Sequence, residues 1–333
     1  MTRIPPSTTN RVQISSRWRP LLALLAVPIL SGCGRLSQGQ ELPDLGDRVI
    51  RVTATTGQVA DLARQVGGER VSVDGLMGPG VDPHLFKASE RNVEELIDSD
   101  AIFFNGLHLE GKLGELLERL SDRRPVFSVG DAIPADLLTS PPEFEGNPDP
   151  HVWFDPTMWA YTCRFMGEAL TSIDPSHSQT YAAAVAAYAQ ELDQIDCYAM
   201  EQFSSIPDQQ RVLVTAHDAF GYLGRRYDLE VVGLQGISTS TEAGIRDVQR
   251  IADLLVERRV PSIFVETSVP RRTIEAVQVA TADRGWQVTI GGELFSDALG
   301  DSDTPEGTYL GMFRHNVATI VAGLTGLKGD DAE

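Results

Sequence analysis

Short apolar segments alternate along most of the chain with longer amphipathic segments. The apolar segments are rich in β-branched residues, as at 49–54, and their length predicts β-strands. The amphipathic segments repeat apolar residues at helical spacing, and Gly67-Gly68 ends the first of them. Because strands that alternate with helices form parallel sheets covered by helices, the pattern predicts an α/β fold.

The predicted elements follow one another at short intervals, apart from one long helix. Strands are predicted at 49–54, 71–77, 101–105, 126–129, 212–215, 230–234, 262–266 and 287–290. Helices are predicted at 58–66, 89–97, 113–120, 157–173, 178–204, 219–227, 244–258, 271–284 and 309–324.

The helix predicted at 178–204 is longer than one domain needs, because it would span roughly 40 Å. The alternation of strands and helices restarts after it. We therefore predict two lobes, each a parallel sheet flanked by helices, joined by one long backbone helix. The predicted N-terminal lobe covers 49–175, the connecting helix 176–206, and the C-terminal lobe 207–328.

The N-terminal segment has the pattern of an export signal. Four arginines and no acidic residue precede Cys33, and the apolar run at 21–30 is too short to span a bilayer. The sequence Leu30-Ser31-Gly32-Cys33 looks like a bacterial lipobox. We predict a lipoprotein signal peptide at 1–32, lipidation of Cys33 and a tether at 33–48. The alternative is an ordinary signal peptide with an incidental cysteine.

These features predict an exported protein, anchored by lipid to the bacterial membrane and facing the periplasm or the cell exterior. The chain has 28 basic and 47 acidic residues, a net charge of −19, which argues against a nucleic-acid partner. We expect a monomer. The cysteines at 163 and 197 fall about 15 Å apart in a predicted helix pair, so we expect two buried free thiols.

An Asp-Pro-His tripeptide occurs twice, at 82–84 and at 149–151. Proline fixes its own backbone and restricts the residue before it, so each tripeptide presents its imidazole from a stiff loop. Imidazole is the commonest protein ligand for metal ions. The repeated tripeptide therefore suggests a metal site built from both loops.

Open parallel sheets bind ligands beyond the carboxyl ends of their strands. Metal-capable side chains follow predicted strands in both lobes: His84 and His151 in the first, His217 and Asp297 in the second. Three imidazoles and a carboxylate suit a borderline divalent ion. Zinc ranks above manganese at such a site, so we favour Zn²⁺, with Mn²⁺ as the alternative.

Five segments together resemble the metal-binding solute-binding lipoproteins of bacterial ABC importers, the ZnuA/TroA/PsaA group. They are Val81-Asp82-Pro83-His84, Asp149-Pro150-His151-Val152-Trp153, the segment 214–220, the segment 233–242, and Leu294-Phe295-Ser296-Asp297. The resemblance implies a metal held in the cleft between the lobes. It implies His84, His151, His217 and Asp297 as ligands, and an ABC permease with a cytoplasmic ATPase as partner.

Other residues have weaker assignments. Glu266 ends a predicted strand and could support a ligand histidine or pair with an arginine, and His108 could lie behind the ligands. We expect His177 to be exposed and His315 to pack or cap. The acidic loop at 135–150 contains no histidine, so it does not predict the zinc-collecting loop of some family members.

Two other function classes compete with the transport receptor. A metallohydrolase would keep an open position at its zinc, and the chain has neither a His-Glu-x-x-His helix nor a Gly-x-Ser-x-Gly elbow. A metal-binding adhesin would need an exposed apolar or aromatic patch, and none stands out in the sequence. We therefore predict a binding protein rather than an enzyme.

Overall fold

The computed structural model describes residues 45–326. The predicted signal peptide, Cys33 and most of the tether lie outside the described residues. Within the described range, no helix combines the length and apolar character needed to cross a bilayer.

The observed strands and helices follow the predicted order closely. The strands are β1 (Ile50–Ala54), β2 (Val71–Gly75), β3 (Ala101–Phe104), β4 (Val126–Ser128), β5 (Val212–His217), β6 (Glu230–Gln235), β7 (Ser262–Glu266) and β8 (Thr289–Leu294). The helices are α1 (Gly57–Gly67), α2 (Glu90–Asp98), α3 (Gly114–Ser121), α4 (Pro156–Ile173), α5 (Ser178–Ser204), α6 (Gly221–Tyr227), α7 (Ile245–Arg258), α8 (Arg272–Ala282) and α9 (Tyr309–Thr325).

All paired strands run parallel, as the alternating pattern predicts. In the N-terminal lobe, the part that contains β1–β4, the strand order is β2-β1-β3-β4. In the C-terminal lobe, which contains β5–β8, β5 pairs with β6 and β7 with β8, while β5 and β7 lie in contact. The predicted fold class, two α/β lobes joined by a long helix, is confirmed. The exact lobe boundaries stay a prediction.

The helix α5 holds the two lobes together through its apolar side. It has 27 residues and packs against α4, α1 and α9, with Tyr181, Leu192 and Phe203 buried along it. The last helix, α9, also reaches the N-terminal lobe, because the backbone N–H of Tyr309 donates to Asp61 at 3.0 Å. The lobes are therefore fastened together by packed helices.

The strand β8 differs from the prediction, which ended it at residue 290 and treated Gly291-Gly292 as loop. The structure continues the strand to Leu294. A Cβ on Gly291 would lie 2.8 Å from the ring of Phe264, and one on Gly292 would lie 2.3 Å from Thr319. The absence of side chains at these two positions lets Phe264 and Thr319 pack against the strand. Because the strand ends at Leu294 rather than at residue 290, Asp297 lies closer to its end than predicted.

The two described cysteines are both free, as predicted, but only one is buried. Cys163 lies in the core beside α5, whereas Cys197 is exposed on α5. The prediction of a second buried thiol is wrong. The interior side of α5 at this level is formed instead by Ile195, Asp196 and Ala199, so residue 197 points to solvent.

Candidate metal centre

The two Asp-Pro-His loops adopt the same local conformation. In the first, Oδ1 of Asp82 accepts the backbone N–H of His84 at 2.9 Å. In the second, Oδ1 of Asp149 accepts the backbone N–H of His151 at 3.0 Å. Each is an Asx-turn, in which an Asp side chain accepts a hydrogen bond from the backbone two residues further on. Each turn fixes the backbone of its histidine and presents the imidazole towards the same point.

The C-terminal lobe contributes its ligands from strand ends. His217 is the last residue of β5, whereas the predicted strand ended two residues earlier, and Asp297 follows β8 by three residues. Glu266 ends the neighbouring strand β7. Parallel strands place their carboxyl ends at one edge, so these three side chains meet there.

The structure brings together the four side chains singled out in the sequence. The candidate ligand atoms of His84, His151, His217 and Asp297 all lie within 4.8 Å of one another, and all four residues are buried. Asp297 lies between two imidazoles, with Oδ1 3.4 Å from Nε2 of His151 and Oδ2 3.3 Å from Nε2 of His217. Nε2 of His84 lies 3.4 Å from Nε2 of His151.

The atoms at the centre of this group fit a cation. Nε2 of His217 and Oδ1 of Asp297 are buried without a hydrogen-bond partner among the described residues. Burying polar atoms in this way is costly unless something else satisfies them. Three imidazole nitrogens and a carboxylate directed at one point are the donor set that a borderline divalent ion prefers.

Carboxylates outside the group orient two of the imidazoles. Nδ1 of His151 lies 2.7 Å from Oδ1 of Asp149, and Nδ1 of His217 lies 2.5 Å from Oε2 of Glu266. A carboxylate on Nδ1 keeps the proton there and leaves Nε2 free to bind a metal. Ser268 adds a longer hydrogen bond of 3.4 Å to Oδ2 of Asp297.

The same carboxylates change the proton affinity of these imidazoles. Burial disfavours the charged form of His151, but Asp149 and Asp297 outweigh it and raise its pKa to about 9. Burial also opposes the charge on His217, yet Asp297 and Glu266 raise its pKa well above the usual value. In the metal-free protein, both imidazoles therefore hold protons that a metal must displace.

His84 and Asp297 have the opposite shifts. Burial lowers the pKa of His84 to about 3, because the charge of Asp297 offsets the loss of solvent only in part and the imidazoles of His151 and His217 lower the pKa further. Burial alone would raise the pKa of Asp297, but the imidazoles of His217 and His151 hold it well below its usual value. At neutral pH His84 and Asp297 are thus already in their metal-binding forms.

The remaining assignments have different outcomes. Glu266 contacts His217, as one of its two predicted roles required. His108 is exposed and lies outside the buried group. His177 is only partly exposed and its Nδ1 lies 2.9 Å from Asp174, whereas His315 packs on Phe295 as expected.

Sequence reasoning missed Asp149 as the partner of the His151 ring. The signal was present, because Asp149 stands two residues before His151 in the repeated tripeptide. The same spacing at Asp82 gives only the backbone contact, and the other oxygen of Asp82 accepts a hydrogen bond from Thr239. The tripeptide alone does not distinguish these two outcomes.

Two α/β lobes on a packed helical support, with a buried three-histidine, one-aspartate group at their junction, define a solute-binding protein with a metal-type site. The family described as "Zinc-uptake complex component A periplasmic" (ZnuA) matches residues 52–323. The chain belongs to this family of solute-binding proteins of ABC transporters, which is not a family of enzymes.

Named relatives and solved structures agree with this membership. The chain is 43% identical over 302 residues to "Manganese-binding lipoprotein MntA" of Bacillus subtilis, covering 90% of this chain and 97% of the relative. It is 46% identical over 273 residues to "Zinc-binding protein TroA" of Treponema pallidum, covering 82% of this chain and 88% of the relative. The solved structure of the Treponema pallidum periplasmic zinc-binding protein TroA superposes with a TM-score of 0.81, covering 83% of this chain and 99% of that one.

Proposed function

We propose that this protein binds a divalent transition metal outside the cytoplasm and delivers it to an ABC import permease driven by a cytoplasmic ATPase. The observation that carries the proposal is the buried group of His84, His151, His217 and Asp297, whose ligand atoms lie within 4.8 Å of one another. The similarity to metal-binding relatives supports the same assignment. All four side chains serve as metal ligands.

Zinc is the favoured metal, and manganese binds more weakly. Three nitrogen donors and one carboxylate suit a borderline ion, whereas manganese prefers shells richer in oxygen. The relatives carry both metals in their names, zinc for TroA and manganese for MntA, so family membership alone does not decide between them. The donor set of this chain supports zinc.

Anchoring and assembly follow from the sequence. We propose that Cys33 is lipidated and attaches the exported protein to the membrane, where it faces the periplasm or the cell exterior as a monomer. Relatives named as lipoproteins support the anchor. Four protein ligands leave no evident position for a catalytic water, which supports a carrier rather than a metallohydrolase.

An adhesin has less support. Among the described residues, the large apolar side chains that are exposed belong to different elements, including Ile97 on α2, Met200 on α5 and Ile245 on α7. Isolated apolar side chains are normal at protein surfaces, whereas an adhesive surface requires a contiguous patch.

The test is elemental analysis of protein purified without chelator, followed by binding measurements on His151→Ala. We expect about one equivalent of metal in the parent and a loss of affinity above a hundredfold in the variant, because ligand loss costs more than loss of a supporting residue. His177→Ala is the matched control and should bind like the parent. Tight binding by His151→Ala would overturn the assigned site.

A further inference from the structure

The imidazole of His84 is held differently from the other two. His151 and His217 each have a carboxylate on Nδ1, at 2.7 Å and 2.5 Å. Among residues 45–326, no hydrogen bond to Nδ1 of His84 is present, and its Nε2 faces His151. The position of His84 is therefore set by its backbone, through the bond from its N–H to Oδ1 of Asp82.

The second oxygen of Asp82 connects this loop to the other lobe. The hydroxyl of Thr239 donates to Oδ2 of Asp82 at 2.5 Å, and Thr239 is buried in the loop between β6 and α7. One carboxylate thus holds the backbone of a metal-site histidine with one oxygen and a residue of the C-terminal lobe with the other. Hydrogen bonds that involve an ionised carboxylate are stronger than neutral ones.

His151 has much broader support from the C-terminal lobe, although it precedes that lobe in sequence. The hydroxyl of Tyr222 donates to the carbonyl of Asp149 at 2.9 Å. The indole of Trp153 donates to the carbonyl of Ser296 at 3.1 Å. The segment that carries His151 is therefore bonded on both sides to the C-terminal lobe, to α6 shortly after His217 and to Ser296 just before Asp297.

The His151 loop is tied to both lobes, because the carbonyl of Pro150 also accepts a hydrogen bond from Asn105 at 3.1 Å, whereas the loop of His84 meets the C-terminal lobe through the bond between Asp82 and Thr239. A bound ion can leave only if the ligands separate, and separation is easiest where the fewest fixed contacts must break. At the loop of His84, the hydrogen bond from Thr239 to Asp82 is such a contact between the lobes.

We propose that Thr239 is a positioning residue that holds the His84 loop against the C-terminal lobe and thereby slows release of the bound metal. The proposal rests on the metal-binding function proposed above. Thr239 does not contact the ion. It acts through Asp82, whose turn sets the backbone of His84, so its hydroxyl should affect the dissociation rate of the metal more than the association rate.

The experiment measures release of zinc from the loaded full chain to an excess of chelator by stopped flow. Thr239→Val keeps the shape of the side chain and removes the hydroxyl, while Thr239→Ser keeps the hydroxyl. We expect release about tenfold faster from Thr239→Val, because a hydrogen bond to a charged group contributes about that factor. Thr239→Ser should restore the parent rate. Ser240→Ala, at an exposed neighbouring position, is the matched control and should also release like the parent.

A double-mutant cycle with Asp82→Asn separates this role from a general weakening of the fold. If both side chains act through one bond, the two substitutions together should accelerate release no more than the stronger one alone. The melting temperatures of the metal-free variants should stay close to that of the parent. Should Thr239→Val fail to fold, Thr239→Ala removes the same hydroxyl and gives the same comparison with the parent and with Thr239→Ser.

Parent-like release from Thr239→Val, or equally fast release from Thr239→Ser and Thr239→Val, would overturn the role of Thr239. Additive effects of the two substitutions would do the same. These outcomes leave the metal-binding function intact as long as the parent binds zinc and His151→Ala does not. Failure of the parent to bind any divalent metal would instead remove the proposed function itself.

Discussion

Nδ1 of His217 lies 2.5 Å from Oε2 of Glu266, and the other oxygen of the same carboxylate accepts the backbone N–H of His217 at 2.9 Å. Glu266 therefore fixes both the backbone and the ring of one candidate ligand. It also joins the ends of β5 and β7, which are in contact but belong to separately paired strands. The orientation of Nε2 towards Asp297 depends on this contact.

Replacing Glu266 with Gln should weaken metal binding by roughly ten- to a hundredfold, the usual cost of losing a residue that supports a metal ligand. The amide keeps the size of the side chain but loses the charge that stabilises the ring in its metal-binding orientation. Isothermal titration with zinc measures the effect. Glu257→Gln, at an exposed position on α7, is the control, and equal affinities in both variants would contradict the role of Glu266.

The affinity for metal should rise steeply with pH, because two imidazoles must lose protons when the metal binds. Asp149 and Asp297 raise the pKa of His151 to about 9, and the pKa of His217 is also raised, so both are protonated in the metal-free protein at neutral pH. Burial lowers the pKa of His84 to about 3, so His84 adds no proton in that range. Each pH unit between about 5 and 8 should therefore change the affinity by roughly a hundredfold.

Calorimetry in buffers of different ionisation enthalpy counts the protons released on binding. We expect close to two per metal at pH 7. The release should diminish as the pH approaches about 9, where His151 loses its own proton. An affinity that stays flat between pH 5 and pH 8 would contradict a site dominated by His151 and His217.

The sequence predicted four ligand candidates that the structure brings within 4.8 Å of one another, but it did not predict all the residues that support them. His84, His151, His217 and Asp297 could be found because their motifs are specific and because strand ends converge in parallel sheets. Contacts such as those of Thr239 with Asp82 join residues far apart in sequence, and local spacing contains no information about them.

The fold was predictable wherever periodicity was undisturbed. The long helix α5 has the bounds predicted for it, because a long run of good helix formers without Gly or Pro predicts a single continuous helix. The end of β8 was not predictable, because Gly291 and Gly292 are usually loop residues. Here the strand continues because β8 pairs with β7 as far as Leu294, and the ring of Phe264 occupies the space that a side chain on Gly291 would need.

The arrangement of the two lobes should change little when metal binds. The 27-residue helix α5 packs against α1, α4 and α9, so bending it would separate packed apolar side chains. We expect nearly equal radii of gyration for metal-free and metal-loaded protein in solution scattering, with local movement confined to loops such as that of His84. A large difference in radius would contradict the rigidity assigned to α5.

Zinc should bind more tightly than manganese, and His217→Glu should reduce that difference. The parent offers three nitrogens and one carboxylate, a set that favours zinc by donor type and by the Irving–Williams order. A second carboxylate makes the donor set richer in oxygen, which manganese prefers. Glu266 lies 2.5 Å from Nδ1 of His217, so a glutamate at position 217 would place two carboxylates side by side. The double variant His217→Glu with Glu266→Gln removes one of these charges and serves as the control for their repulsion. Competition titrations measure the ratio of the zinc affinity to the manganese affinity in the parent and in both variants. A parent that prefers manganese would refute the metal assignment, and an unchanged ratio in both variants would show that His217 does not determine the preference.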